Sequence, residues 1–94
     1  MLEITRGPNQ EIVLAGRFDA ANLEKARSVF LSLSGPAVVD FSSLEYISSA
    51  GLGILLAAQK KLASQGGGLK LVNVNTHIRD VLHFSGFDQI FEMA

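Results

Sequence analysis

The chain has 94 residues, of which 48% are hydrophobic and 18% are charged, and it contains no cysteine. At roughly 150 residues per domain, this length predicts one domain over residues 1–94. Eight Lys and Arg against nine Asp and Glu give a formal net charge of −1, so the chain lacks the basic surface that nucleic acid binding needs. The absence of cysteine excludes disulfides, thiol catalysis and thiolate metal sites.

Neither a membrane span nor a secretory signal is apparent in the sequence. The longest uninterrupted run of apolar residues and glycine is the nine-residue Ala50–Ala58, whereas a helix needs about 18 to 20 such residues to span a bilayer. The first residues contain neither a basic leader nor an apolar stretch followed by a small-residue cleavage site. We therefore expect no membrane span and a cytoplasmic location.

Two extended segments joined by a turn come first in the chain. Leu2–Thr5 alternates apolar and polar residues, Gly7–Gln10 supplies turn residues, and Glu11–Ala15 resumes an extended apolar pattern. Alternation with a period of two residues on either side of a turn is typical of strands. The pattern predicts an antiparallel hairpin.

A helix and then a buried strand are predicted next. The helix begins near Asn22, where Asp19 or Asn22 can cap it, and Gly35–Pro36 terminates it. Its apolar positions have helical spacing and are Leu23, Ala26, Phe30 and Leu33. The apolar run Ala37–Phe41 predicts a short strand that is buried on both faces, with the carboxylate of Asp40 at its end.

The second helix is predicted to begin at a pair of serines. Ser48 or Ser49 can cap it, it runs to about Gln65, and Gly66–Gly68 ends it. One stripe of this helix is predicted to hold Leu52, Leu55, Leu56, Gln59 and Leu62.

A strand, a helix and a last strand complete the chain. Leu69–Val74 alternates as a strand, and Gln89–Met93 predicts the final one. Between them Thr76 can cap a third helix that ends at Gly86. The inward residues of this helix are predicted to be Ile78, Val81 and Leu82.

This order of elements predicts an α/β fold. After the hairpin, strands alternate with helices, which favours a mixed sheet that is mostly parallel at its centre and antiparallel at one edge. We expect the helices to pack mainly on one face of this sheet.

The segment from Asp40 to Gly53 joins a strand to the start of a helix and carries adjacent hydroxyls at Ser48 and Ser49. Free backbone N–H groups and the positive end of the helix dipole gather at such a position, so a phosphate would be tolerated there. An alternative interpretation is purely structural, because serine is a leading N-cap residue and glycines such as Gly51 and Gly53 permit close packing.

Three segments of the chain form a recognisable pattern: Leu14–Asn22, Asp40–Leu44 and Tyr46–Gly53. Together they resemble the STAS-domain family of anti-sigma factor antagonists. The Gly66–Leu71 and Ile78–Asp88 segments extend the similarity toward the end of the chain. In that family, a serine at the start of the second helix is phosphorylated by an anti-sigma factor that is also a kinase. The unphosphorylated form binds this kinase and frees the sigma factor.

The resemblance implies a set of functional residues. Aligned on Gly51–Gly53, the phosphate acceptor falls on Ser49, with Ser48 as the second choice because well-known members carry Asp at that position. The implied partners are the anti-sigma factor kinase and a serine phosphatase, and no cofactor, metal or catalytic residue is implied. The implied partner-binding residues are Asp19, Asn22, Ser48, Ser49, Ala50, Gly51 and Leu52, although Asp19 and Asn22 are equally suited to helix capping.

Other chemistry finds less support in the sequence. Leu56 replaces the third glycine of a dinucleotide-binding motif, and Ile47 occupies the first glycine of a Gly-x-Ser-x-Gly motif around Ser49. His77 and His83 would lie about 120° apart around a helix, so one metal could hardly use both. Two alternatives to the switch remain: a STAS scaffold subunit that is not phosphorylated, as in stress-sensing or lipid-transport complexes, and a small enzyme with an unrecognised site.

Overall fold

A computed structural model describes residues 1–94 and confirms the predicted order of elements. Two 3₁₀ turns, Ala20–Asn22 and Phe87–Gln89, add to that order. The strands and helices are β1 (Leu2–Arg6), β2 (Ile12–Phe18), α1 (Leu23–Phe30), β3 (Ala37–Ile47), α2 (Ser49–Ala63), β4 (Leu69–Val72), α3 (Thr76–Phe84) and β5 (Glu92–Met93). None of the three helices is long and apolar enough to cross a membrane.

The strands form one five-stranded mixed sheet in the order β1-β2-β3-β4-β5. β1 and β2 make the predicted antiparallel hairpin, and the remaining neighbours pair in parallel. The predicted mixed sheet with an antiparallel edge is therefore confirmed. Because parallel strands point the same way, the ends of β2 and β3 lie at one edge of the sheet.

One face of this sheet carries the core, and the other is open. The buried hydrophobic residues form a single cluster of 22, to which all three helices contribute. Along β2 and β3 the buried residues Ile12, Leu14, Val39 and Phe41 alternate with more exposed ones. The expectation that β3 is buried on both faces is wrong, because Val38 is 37% exposed.

β3 is also longer than predicted, since it continues past Phe41 to Ile47. Its pairing with β2 shifts twice. The first shift lies between the pairs Val13–Asp40 and Ala15–Ser43, and the second lies between the pairs Gly16–Leu44 and Arg17–Tyr46. Each shift adds one residue to β3, which is the signature of a β-bulge. The buried positions therefore fall three residues apart at Phe41, Leu44 and Ile47. A strict period of two could not predict this continuation.

The first two helices differ from prediction in detail. α1 ends at Phe30, yet Leu33 in the following loop is still buried in the core. α2 ends at Ala63, shortly before Gly66, whose positive φ of 84° lets the chain turn. Within α2, Ile54 is buried, whereas the predicted stripe residue Leu56 is only half-buried.

The last third of the chain departs from prediction in three places. β4 ends at Val72, and β5 spans only two residues because a 3₁₀ turn occupies the start of the predicted strand. Asn75, and not Thr76, caps α3: its Oδ1 accepts from the Ile78 N–H at 2.8 Å, and its Nδ2 donates to the Leu44 carbonyl at 3.1 Å. An amide supplies both bonds at once, which ties α3 to β3.

The hairpin turn holds a residue in an unfavourable conformation. Pro8 and Asn9 make the bend, the Gln10 N–H donates to the Gly7 carbonyl at 3.1 Å, and Gln10 follows with a φ of 66°. This left-handed region costs an ordinary L-residue about 1 to 2 kcal/mol, whereas glycine adopts it without steric penalty.

We expect Gln10→Gly to raise the free energy of unfolding by about 0.5 to 1 kcal/mol, because relief of the φ penalty exceeds the extra chain entropy of glycine. Urea denaturation measures this difference. Gly16→Ala is a control that should instead lower the free energy of unfolding, because Gly16 has a φ of 92° and an added Cβ would clash with the Met1 carbonyl oxygen. Equal or lower stability of Gln10→Gly would contradict the interpretation of the turn.

Candidate functional site

The candidate site lies at the C-terminal ends of the neighbouring strands β2 and β3. Arg17 is paired with Tyr46 and Phe18 with Ile47 in the sheet register. One residue beyond β3, the Ser48 N–H donates to the Phe18 carbonyl at 2.9 Å. This bond brings the start of α2 against the segment that leaves β2.

The two serines have different roles in the structure. The Ser48 hydroxyl accepts from the Gly51 N–H at 3.1 Å, and its carbonyl accepts from the Leu52 N–H at 2.9 Å, so Ser48 caps α2. Ser49 is the first residue of the helix, and it is exposed. The choice left open in the sequence is thus resolved: the cap is Ser48, and the Ser49 hydroxyl takes no part in it.

Asp19 and Asn22 form a small network beside the serines. Asp19 Oδ1 accepts from the Ala21 N–H at 3.2 Å and from Asn22 Nδ2 at 2.7 Å. Asn22 Nδ2 also donates to the Arg17 carbonyl at 3.0 Å. Asp19 therefore caps the 3₁₀ turn, whereas Asn22 makes no capping bond to α1 and instead ties the end of β2 to the turn.

Arg17 and Tyr46 belong to the same surface, and the sequence alone did not single them out. The Arg17 guanidinium carbon lies 4.3 Å from the centre of the Tyr46 ring, a cation–π arrangement. Arg17 Nε lies 3.9 Å from Asp19 Oδ2, and both side chains are partly exposed. The only feature that could have revealed this cluster is the register of β2 against β3, and the two bulges make that register impossible to read from the sequence.

Two of the residues assigned to partner binding are covered by the chain itself. Gly51 is buried, and a Cβ there would lie 3.0 Å from the Phe18 ring and 3.1 Å from Ile47 Cγ1. Leu52 is only 5% exposed and belongs to the core. Gly51 thus allows α2 to pack closely on β2 and β3, and the accessible part of the predicted set is Asp19, Asn22, Ser48, Ser49 and Ala50.

Asp40 lies within β3 rather than at its end, and it is half-buried. Desolvation by burial raises the pKa of its carboxyl, but hydrogen bonds from the Ser42 N–H, the Ser42 hydroxyl and the Asn73 side chain outweigh this, so the pKa lies below its ordinary value. The Ser42 N–H is 2.8 Å from Asp40 Oδ1. The carboxylate therefore stabilises the backbone of β3 where its pairing with β2 first shifts.

A family model described as "Mlab, STAS domain" matches residues 4–93. The chain therefore belongs to the STAS family, and the resemblance seen in its sequence is confirmed. Among its relatives is BtrV of Bordetella bronchiseptica, named as a candidate anti-sigma factor antagonist, which is 44% identical over 57 residues. That match covers 61% of this chain and 49% of BtrV, so it spans about half the length of this relative.

Solved structures of similar proteins show the same fold. A protein from Thermotoga maritima described as a candidate anti-sigma factor antagonist is 20% identical, with a TM-score of 0.80 over 99% of this chain and 85% of its own. SpoIIAA, an anti-sigma factor antagonist solved in its unphosphorylated form, is also 20% identical, with a TM-score of 0.69 over 100% of this chain and 87% of its own. The same protein from Bacillus has been solved phosphorylated, with a TM-score of 0.68 over 100% of this chain and 91% of its own.

The capping assignment predicts different costs for the two serines. Ser48→Ala should lower the free energy of unfolding by about 1 kcal/mol, whereas Ser48→Asp should keep it within a few tenths, because Asp is an equally good N-cap. Ser49→Ala is the matched control and should cost clearly less than Ser48→Ala. Chemical denaturation of the three variants measures these differences. A larger loss of stability for Ser49→Ala than for Ser48→Ala would contradict the assignment of Ser48 as the cap.

The lowered pKa of Asp40 predicts a pH-dependent contribution to stability. The carboxylate favours the folded state above its unfolded pKa of about 3.9, and this contribution disappears as the pH falls through the lower folded-state pKa. At pH 7, Asp40→Asn should lower the free energy of unfolding by roughly 0.5 to 1 kcal/mol, a value kept small by solvent exposure. Urea denaturation between about pH 7 and 3 should show the difference from wild type shrinking below about pH 4. A difference that grows on acidification would contradict the assignment.

Proposed function

We propose that the chain is an anti-sigma factor antagonist in a bacterial partner-switching module. Its unphosphorylated form binds an anti-sigma factor that is also a serine kinase and releases the sigma factor, and phosphorylation of Ser49 ends this binding. A serine phosphatase restores the active form. In this proposal the chain is a cytoplasmic binding protein and not an enzyme.

The observation that carries the proposal is the division of roles between the serines. Because Ser48 satisfies the helix cap, the Ser49 hydroxyl stays exposed on the first turn of α2, where a kinase can reach it. The names of the similar proteins support the same role, and SpoIIAA has been solved in phosphorylated and unphosphorylated forms.

The surface around Ser49 offers the partner one charged and one polar side chain. Asp19 and Asn22 lie beside the serines at the ends of β2 and β3, held by the hydrogen bonds of the 3₁₀ turn. Because that turn is ordered before the partner arrives, little conformational entropy is lost there on binding. We assign the proposed interface to these two residues together with Ser48, Ser49 and Ala50.

Electrostatics explains how one phosphate can switch binding without disturbing the fold. A phosphate adds about −1.5 to −2 charges, which the N-terminus of α2 favours by only about 0.3 to 1 kcal/mol. Against a partner carboxylate about 6 Å away, at an effective dielectric constant of about 20, the same phosphate is repelled by roughly 4 to 5 kcal/mol before salt screening. The interface therefore loses hundredfold or more in affinity, while the fold is little changed.

A second candidate is a STAS scaffold subunit of a stress-sensing or lipid-transport complex that is not phosphorylated. The description of the matching family model names Mlab and does not mention an antagonist. In addition, Ser48 occupies the position where well-known antagonists carry Asp. For such a subunit, partner affinity would not depend on the charge at position 49.

The proposal predicts that Ser49→Ala keeps affinity for the kinase, whereas Ser49→Asp weakens it by roughly ten- to thirtyfold at about 0.05 M salt. Asp carries one charge against nearly two on phosphate, so it is an incomplete mimic. The difference between the variants should narrow at about 0.5 M salt, because screening then acts over contact distances.

Calorimetric titration of both variants against the purified kinase, at both salt concentrations, measures this difference. Glu45→Gln serves as a control for a charge change at an exposed residue of β3 outside the proposed interface. Equal affinities of Ser49→Ala and Ser49→Asp at low salt would contradict the switch and favour the scaffold subunit.

A further inference from the structure

A groove runs between α1 and α2 on the side of the helices that faces away from the sheet. Its volume is about 280 Å³, and its lining includes Leu23 and Arg27 from α1 and Ala50, Gly53, Ile54 and Ala57 from α2. Pockets for drug-sized ligands begin at about 300 Å³ and bury most of the ligand. This open, largely apolar groove is better suited to one or two side chains of another protein.

The groove is continuous with the first turn of α2. Ala50, which lines it, directly follows Ser49 in the chain. Ser49 and Gly53 are both exposed and lie four residues apart, so they are neighbours on one face of the helix. A protein that contacts the Ser49 hydroxyl is therefore already positioned over this end of the groove.

The two glycines of α2 differ in what the fold requires of them. Gly51 is needed for packing, because a Cβ would press on the Phe18 ring and on Ile47. At Gly53 a Cβ would meet nothing within 4 Å. Glycine within a helix is costly compared with other residues, so the fold gives no reason for Gly53. Its effect is to keep the groove open.

The charge at the groove indicates what enters it. Arg27 is exposed and forms no salt bridge within the chain, and no acidic residue lines the groove. A partner that places an apolar side chain among Leu23, Ile54 and Ala57 can therefore pair a neighbouring carboxylate with Arg27. Such a pair adds orientation and rate of association as well as affinity.

We propose that the kinase which recognises Ser49 also docks an apolar side chain, flanked by a carboxylate, in the groove between α1 and α2. This inference rests on the proposed function and adds a second contact to the same interface. The groove contact supplies affinity and orientation. A phosphate on Ser49 then repels a partner whose position is set by both contacts.

Gly53 allows a test that separates binding from folding. Gly53→Gln should raise the Tm by about 2 to 5 °C, since glutamine is a better helix former and has free space at this position. The same variant should weaken binding to the purified kinase at least tenfold by filling the groove, with Gly53→Ala intermediate. Ala63→Gln, an exposed substitution in the last turn of α2 and outside the groove, should leave the affinity unchanged.

Arg27 tests the charge contact independently. Arg27→Glu should weaken kinase binding by roughly tenfold at low salt and much less at about 0.5 M salt, whereas Arg27→Gln should have an intermediate effect. If Gly53→Gln and Arg27→Glu bind like wild type while Ser49→Asp binds weakly, the groove proposal is wrong and the switch stands. If the wild-type chain does not bind the kinase that phosphorylates it, the proposed function fails and the groove proposal fails with it.

Discussion

The parallel pairing of β2 with β3 is the constraint on which the site depends. It places the segment leaving β2 beside the start of α2, and the hydrogen bond from the Ser48 N–H to the Phe18 carbonyl fixes that contact. The two bulges in β3 then determine which residues reach the edge, because each one shifts every later side chain by one position. Without them, Tyr46 would not lie opposite Arg17.

The residues at the start of α2 fall into two groups: some are fixed by the fold, and others are exposed. Ser48 caps the helix, and Gly51 allows the helix to pack closely on β2 and β3. Ser49 and Gly53 face outward, where no contact within the chain requires their identity. A change at the outward pair should therefore leave the core, which is formed by a single cluster of buried residues, intact.

Local patterns in the sequence predicted the order of elements, the hairpin and the serine pair, because each depends on neighbouring residues. The extent of β3 could not be predicted, since its buried positions Phe41, Leu44 and Ile47 follow the register with β2 and not a fixed period. The cap of α3 is Asn75 rather than Thr76, and the Asn75 amide also donates to the Leu44 carbonyl of a distant strand, which no local pattern reveals. The Arg17–Tyr46 contact was missed for the same reason: it exists only once the strands are paired.

The most direct test of the central claim is to map the phosphate after incubation of the chain with its kinase partner and ATP. Tandem mass spectrometry should place the phosphate on Ser49 alone, and the phosphorylated chain should lose hundredfold or more in affinity for the kinase while its Tm stays nearly unchanged. Phosphate on Ser48, or on neither serine, would contradict the account, as would a phosphorylated chain that binds the kinase as tightly as before.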